Sequence, residues 1–88
     1  MSSVKLFVKQ GCNRCPAAKD VAGALKSDGV EVREYDIDVA DGLAEGVFYG
    51  VMSTPTMLVV DAEENPVTFW RGVVPTKDEV RATLSLVT

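Results

Sequence analysis

The sequence predicts an α/β fold in which a mixed four-stranded sheet carries helices on both faces, in the order β-α-β-α-β-β-α. Three observations carry that expectation. Two compact apolar runs rich in β-branched residues, Val4 to Val8 and Thr56 to Val60, read as core strands. Between Asn13 and Asp28, Ala18, Val21, Ala22 and Leu25 recur at helical spacing. Further on, Thr76-Lys77-Asp78-Glu79 has the Thr-x-x-Glu form of a capping box ahead of Val80, Leu84 and Val87.

Taken in order, Val4-Lys5-Leu6-Phe7-Val8 is expected to be a central strand, ended by the turn-forming pair Gln10-Gly11. A first helix then starts near Cys12, and Gly29 supplies its stop just past Lys26. Pro16 falls close to where the first intrahelical bond would form, so a tight or irregular first turn is expected. Val30 to Asp36 alternates imperfectly and reads as a second strand with one partly exposed face. Asp38 or Asp41 would cap a short second helix carrying Leu43, Val47 and Phe48, weakened by Gly42 and Gly46 by up to ~1 kcal/mol each. Thr56 to Val60 and Val67 to Arg71, joined by the polar turn Asp61 to Pro66, form an antiparallel hairpin. Gly72 breaks the last strand before the third helix. Met52, Met57, Phe69 and Trp70 read as core packing, and the acids Asp36, Asp38, Asp61, Glu63 and Glu64 as solvated surface.

With 88 residues, 47% hydrophobic and 25% charged, positions 1–88 are expected to form one domain, because so short a chain cannot bury two cores. Nine bases against thirteen acids give a net charge of −4, which argues against nucleic acid or an anionic membrane as partner. The absence of His and the presence of only two Cys exclude a His-based triad and a four-ligand Cys/His zinc site within one chain. The first apolar run is too short for a signal sequence or a membrane span, so a cytoplasmic setting is expected. Charge is unevenly spread. Residues 1–19 hold Lys5, Lys9, Arg14 and Lys19 with no acid, a charge of +4, whereas the rest holds five bases and thirteen acids, a charge of −8.

The two cysteines stand as Cys12-Asn13-Arg14-Cys15. In a reducing compartment such a pair is redox-active or metal-binding rather than a structural staple, since the loop it closes barely constrains the unfolded chain. At a helix N-terminus the unpaired N–H groups and the macrodipole favour an anion, and a thiolate is the anion on offer. Lowering a thiol from about 8.5 toward neutrality supplies the attacking species, and Lys9 and Arg14 are placed to add to that effect. Cys15, expected one turn into the helix on the same side, would then release a mixed disulfide held on Cys12. A metal-bridged or cluster-bridged dimer, with one pair from each chain, uses the same thiolates as a binding module.

Three separated segments now carry a resemblance to the thioredoxin superfamily: Gly11-Cys12-Asn13-Arg14-Cys15-Pro16, Tyr49 through Leu58 around Thr54-Pro55, and Arg71-Gly72-Val73-Val74-Pro75-Thr76. The resemblance covers nearly the whole chain and implies a thioredoxin-like fold with a cis peptide before Pro55. It implies that Thr54 pairs its backbone with an extended substrate, that Pro55 shapes the groove and prevents metal capture, and that Gly72 and Val73 complete the substrate surface. Val51, Met52 and Val73 would supply an apolar rim.

Departures from the family pattern are equally specific. Gly11 stands where thioredoxins usually have Trp, and Leu6 replaces the buried acid six residues before the nucleophile. Glu34 replaces a basic residue; as a substitute proton acceptor for Cys15 it competes with a plain solvated-carboxylate reading. The length and the Cys-x-x-Cys-Pro form are similar to glutaredoxins and small glutaredoxin-like thioredoxins, but Gly72-Val73-Val74 stands in place of the glutathione-binding Gly-Gly.

The resemblance thus implies a monomeric dithiol-disulfide oxidoreductase working on protein disulfides. It would need no bound cofactor beyond its own Cys12–Cys15 couple and would be recharged by a thioredoxin-reductase-like flavoprotein. A glutathione-dependent reductase is the alternative enzyme.

Overall fold

The computed structural model describes residues 1–87. The elements are β1 (Ser3–Val8), α1 (Cys15–Ser27), β2 (Val32–Asp36), α2 (Ala40–Phe48), β3 (Thr56–Val60), β4 (Pro66–Arg71) and α3 (Lys77–Val87), in the expected order. The sheet runs β2-β1-β3-β4. β1 pairs parallel with β2 and antiparallel with β3, and β3 pairs antiparallel with β4, so the sheet is mixed. Among the described residues no helix is long and apolar enough to cross a membrane.

β1 and β3 occupy the centre and are buried throughout, which is why their sequences are continuous rather than alternating apolar runs. Val4, Leu6, Val8, Met57 and Val59 meet Ala18, Ala22 and Leu25 of α1 and Val80 and Leu84 of α3 on one face. Phe7, Leu58 and Val60 build a second core with Tyr49 on the other, where Tyr35 and Ile37 also pack. Helices therefore cover both faces, as the sequence predicts.

α3 starts as the capping box requires. The Glu79 backbone N–H donates to Thr76 Oγ1 at 3.1 Å, and the Thr76 N–H donates to Glu79 Oε1 at 3.0 Å. α1 ends with Gly29 in the left-handed region (φ 86°), and the Val30 N–H donates back to Leu25 O. That turn uses Val30, so β2 begins at Val32 rather than Val30.

Several expectations are corrected. α1 begins at Cys15, not Cys12, with Pro16 in its first turn, where no N–H is needed and the fixed φ suits the helix. Neither Asp38 nor Asp41 caps α2: Val39 precedes it without a side-chain cap. Asp38 instead accepts the Gln10 backbone N–H at 3.0 Å, tying the loop after β1 to the loop after β2. Leu43, Val47 and Phe48 are exposed, while Gly42 and Gly46 form the buried side of α2. A Cβ on Gly42 would overlap the backbone of Asp36, so the helix lies too close to β2 for any side chain there. Of the residues assigned to the core, Met57 is buried and Phe69 and Trp70 are partly so, but Met52 is 91% exposed.

Two of the acids read as surface, Asp61 and Glu64, also make structural contacts. Asp61 Oδ1 accepts the backbone N–H groups of Glu63 and Asn65 and so shapes the β3–β4 turn. Glu64 pairs with Lys5, which is only 3% exposed and also meets Glu45 at 2.7 Å and Tyr35 Oη at 3.3 Å. Burial by itself lowers the Lys5 pKa, but the hydrogen bonds with Glu45, Glu64 and Tyr35 outweigh it and leave the ammonium above its ordinary value.

Candidate active site

The site is assembled at the end of central strand β1. Gly11, at φ 73°, makes the sharp turn after the strand, and Cys12 to Arg14 form a short loop into α1. Cys12 and Cys15 are joined as a disulfide with Cα atoms 5.4 Å apart. Their environments differ. Cys15, the first residue of α1, is 4% exposed and packs in the core with Leu6, whereas Cys12 is only partly buried.

Two hollows flank Cys12. One, of about 450 Å³, is lined by Lys9, Cys12, Cys15, Lys19 and Asp36 among others; its neighbour, of about 460 Å³, is lined by Lys9, Cys12, Arg14, Met52, Thr54 and Gly72 among others. The three segments singled out in the sequence therefore meet. Two hydrogen bonds at one residue join them: Arg14 donates to the Gly72 carbonyl at 2.8 Å, and the Gly72 N–H donates to the Pro55 carbonyl at 2.8 Å. The Thr54–Pro55 peptide is cis, and Pro55 leads into the first residue of β3, Thr56, whose hydroxyl donates to Ser53 O at 2.8 Å. Val73 is exposed beside this loop and Val51 packs inward against the Phe7 core, so Met52 and Val73 are the parts of the expected rim that face solvent.

The basic character of residues 1–19 is less concentrated than its sum suggests. β alternation turns Lys5 to the α2 face, where carboxylates hold it, away from the face that Leu6 shares with Cys15. Lys19 pairs with Glu34 at 3.6 Å, and the Arg14 guanidinium is engaged by Gly72. Lys9 lines both hollows. Glu34 lies opposite Leu6 in the β1–β2 register and lines neither hollow, which fits a surface ion pair rather than a proton acceptor for Cys15. Sequence reasoning missed Lys19 and Asp36 as neighbours of the cysteines. The signal was topological: Asp36 pairs with Val8 at the end of β1, so it necessarily reaches the same sheet end.

Comparisons with known proteins agree with this arrangement. A family model described as a thioredoxin domain matches residues 2–85. A thioredoxin of Methanocaldococcus jannaschii is 41% identical over 64 residues, covering 67% of this chain and 73% of that protein. Among solved structures, a mutant thioredoxin from Halobacterium salinarum superposes with a TM-score of 0.82 at 20% identity, over 99% of this chain and 74% of that one. Fasciola hepatica thioredoxin gives 0.76 at 20% identity over 99% and 81%. These two structures speak for the fold, while the family match and the archaeal relative speak for kinship. With a Cys-x-x-Cys disulfide at the end of its central strand and a thioredoxin-domain match along nearly its whole length, the chain belongs to the thioredoxin family.

Proposed function

We propose that this protein is a thiol-disulfide oxidoreductase that reduces disulfides in client proteins. The observation that carries the reading is the asymmetry of the pair: Cys12 is open to two hollows while Cys15 is buried beneath it. The reduced Cys12 thiolate attacks one sulfur of a client disulfide, forming a mixed disulfide and expelling the other client sulfur as a thiolate, which solvent protonates. Cys15 then loses its proton to water in the hollow it lines and attacks Cys12 Sγ. That breaks the mixed disulfide and frees the second client sulfur. Two electrons pass to the client and the Cys12–Cys15 disulfide remains. A thioredoxin-reductase-like flavoprotein returns them, so no bound cofactor beyond the couple is needed.

Clients of extended form fit the groove best. Thr54 and Pro55 lead into β3 beside Cys12, so the Thr54 backbone is placed to pair with a passing strand, with Gly72, Val73 and Met52 flanking it. Lys9 favours the thiolate by its charge, and Arg14 does so from its place in the same loop. A monomer acting in the cytoplasm is the setting we infer. The test is insulin reduction. Cys12→Ser should abolish it and Cys15→Ser should trap a mixed disulfide; full turnover by the Cys12 variant would overturn the assignment. Reduction of the oxidised protein by glutathione, rather than by a flavoprotein reductase, would favour the glutaredoxin-like alternative.

A further inference from the structure

We propose that the Thr54 hydroxyl is the hydrogen-bond donor that holds the Cys12 thiolate in the reduced protein, an inference that rests on Cys12 being the attacking sulfur. Among the described residues, Thr54 Oγ1 is a buried side-chain polar atom without a partner. Burying a hydroxyl unpaired costs free energy, and native proteins rarely leave one so. The neighbouring threonine shows the ordinary solution: Thr56, itself fully buried, donates from Oγ1 to Ser53 O at 2.8 Å.

Thr54 lines the same hollow as Cys12, and the oxidation state decides what the hollow offers it. A disulfide sulfur is a poor acceptor, whereas a thiolate is an anion that forms charge-assisted hydrogen bonds. The orphan of the disulfide form is thus satisfied by reduction at Cys12. The β1 residue that shares the buried cluster with Cys15 is Leu6, an apolar side chain that does not compete for the donor. During attack the negative charge leaves Cys12 Sγ for the expelled client sulfur, which solvent protonates, and Thr54 keeps its own proton throughout. The charged groups facing the cysteines are Lys9 and Arg14 of the same loop, Lys19 of α1 and Asp36 of β2.

The experiment measures the Cys12 pKa in a Cys15→Ser background, after reduction by dithiothreitol, from thiolate absorbance and from the pH dependence of iodoacetamide alkylation. Thr54→Val and Thr54→Ala remove the hydroxyl, while Thr54→Ser keeps it; the four charged neighbours stay unchanged. Loss of the hydroxyl should raise the Cys12 pKa by about one unit, a roughly tenfold loss of thiolate near neutrality. Thr54→Ser should retain the parent value. A parent-like pKa in either hydroxyl-free variant, or an equal rise in Thr54→Ser, would overturn the inference. Insulin reduction by the wild-type chain is measured alongside. Its absence overturns the oxidoreductase reading and this inference with it, whereas its presence with an unchanged pKa in Thr54→Val overturns this inference alone.

Discussion

Replacing Gly42 or Gly46 by Ala sets helix propensity against packing within one short helix. Propensity alone predicts that either change stabilises α2 by about 1 kcal/mol, because Gly is the poorer helix former by that amount. The structure separates the two. At Gly46 an added Cβ would lie 3.5 Å from Ile37 Cγ2 and 3.7 Å from Phe7 Cδ1, ordinary contact distances, so the methyl fits and gains roughly a further 0.8 kcal/mol of burial at most. At Gly42 the Cβ would overlap the Asp36 carbonyl oxygen and sit 2.6 Å from its carbon and 2.9 Å from its nitrogen. That backbone cannot yield easily, since Asp36 pairs with Val8 and the next N–H, of Ile37, donates to Val8 O at 3.0 Å.

α2 must instead withdraw by roughly 1 Å, a gap that forfeits a quarter to a half of the dispersion across its contact with the sheet. Overpacking of this kind costs about 1–3 kcal/mol, and a backbone clash belongs at the upper end. After subtracting the propensity gain, Gly42→Ala should be destabilised by roughly 1–2 kcal/mol and Gly46→Ala stabilised by about 1 kcal/mol. At about 4–8 °C per kcal/mol for a domain of this size, thermal midpoints should move about 5–15 °C down and about 4–8 °C up. Thermal and urea unfolding of the oxidised protein, followed by far-ultraviolet circular dichroism, reads both. A Gly42→Ala protein as stable as wild type would refute the close-approach argument.

Three further outcomes are expected. Lys5→Met strips a buried ammonium from Glu45 and Glu64; because Glu64 is largely exposed and can rehydrate, the cost should be about 1–3 kcal/mol in urea unfolding, below that of a fully buried broken pair. Stability should also fall as pH rises past the ordinary lysine value of about 10.4: the Lys5 pKa is raised in the folded chain, so the unfolded chain releases its proton first and gains from the rise. Burial raises the Tyr49 phenol pKa and adds a slope of the same sign, and because the Lys5 charge pulls that phenol pKa down, the lysine's share is read by comparing Lys5→Met with Lys5 in a Tyr49→Phe background. Thr76→Ala removes the acceptor for the Glu79 N–H and should cost about 1 kcal/mol, with a double-mutant cycle against Glu79→Ala returning a coupling because the two bonds are reciprocal.

The elements most legible in the sequence are those whose own residues enforce them. β3 has the expected bounds because a run of buried β-branched and apolar residues has no other comfortable conformation in so short a chain, and α3 starts where Thr76 and Glu79 satisfy each other's backbone. α2 defies its sequence pattern because its logic is not local: an apolar residue normally faces inward, but here proximity to β2 admits only Gly42, turning Leu43, Val47 and Phe48 outward. Lys5 and Glu64 are illegible for the same reason, since opposite charges far apart in sequence do not announce that a strand and a turn will bring them together.

At the candidate site the division is similar. The spacing Cys12-x-x-Cys15 and the proline after Thr54 are sequence properties, and with the segment around Gly72 they suffice to point to a dithiol beside a strand entrance. Which sulfur is exposed, which cations face it, and which hydroxyl lies unpaired beside it are decided by tertiary structure. Local covalent geometry fixes how close two nearby cysteines lie, but burial and hydrogen bonding depend on distant segments folding back on them, as Gly72 does on Arg14 and Pro55.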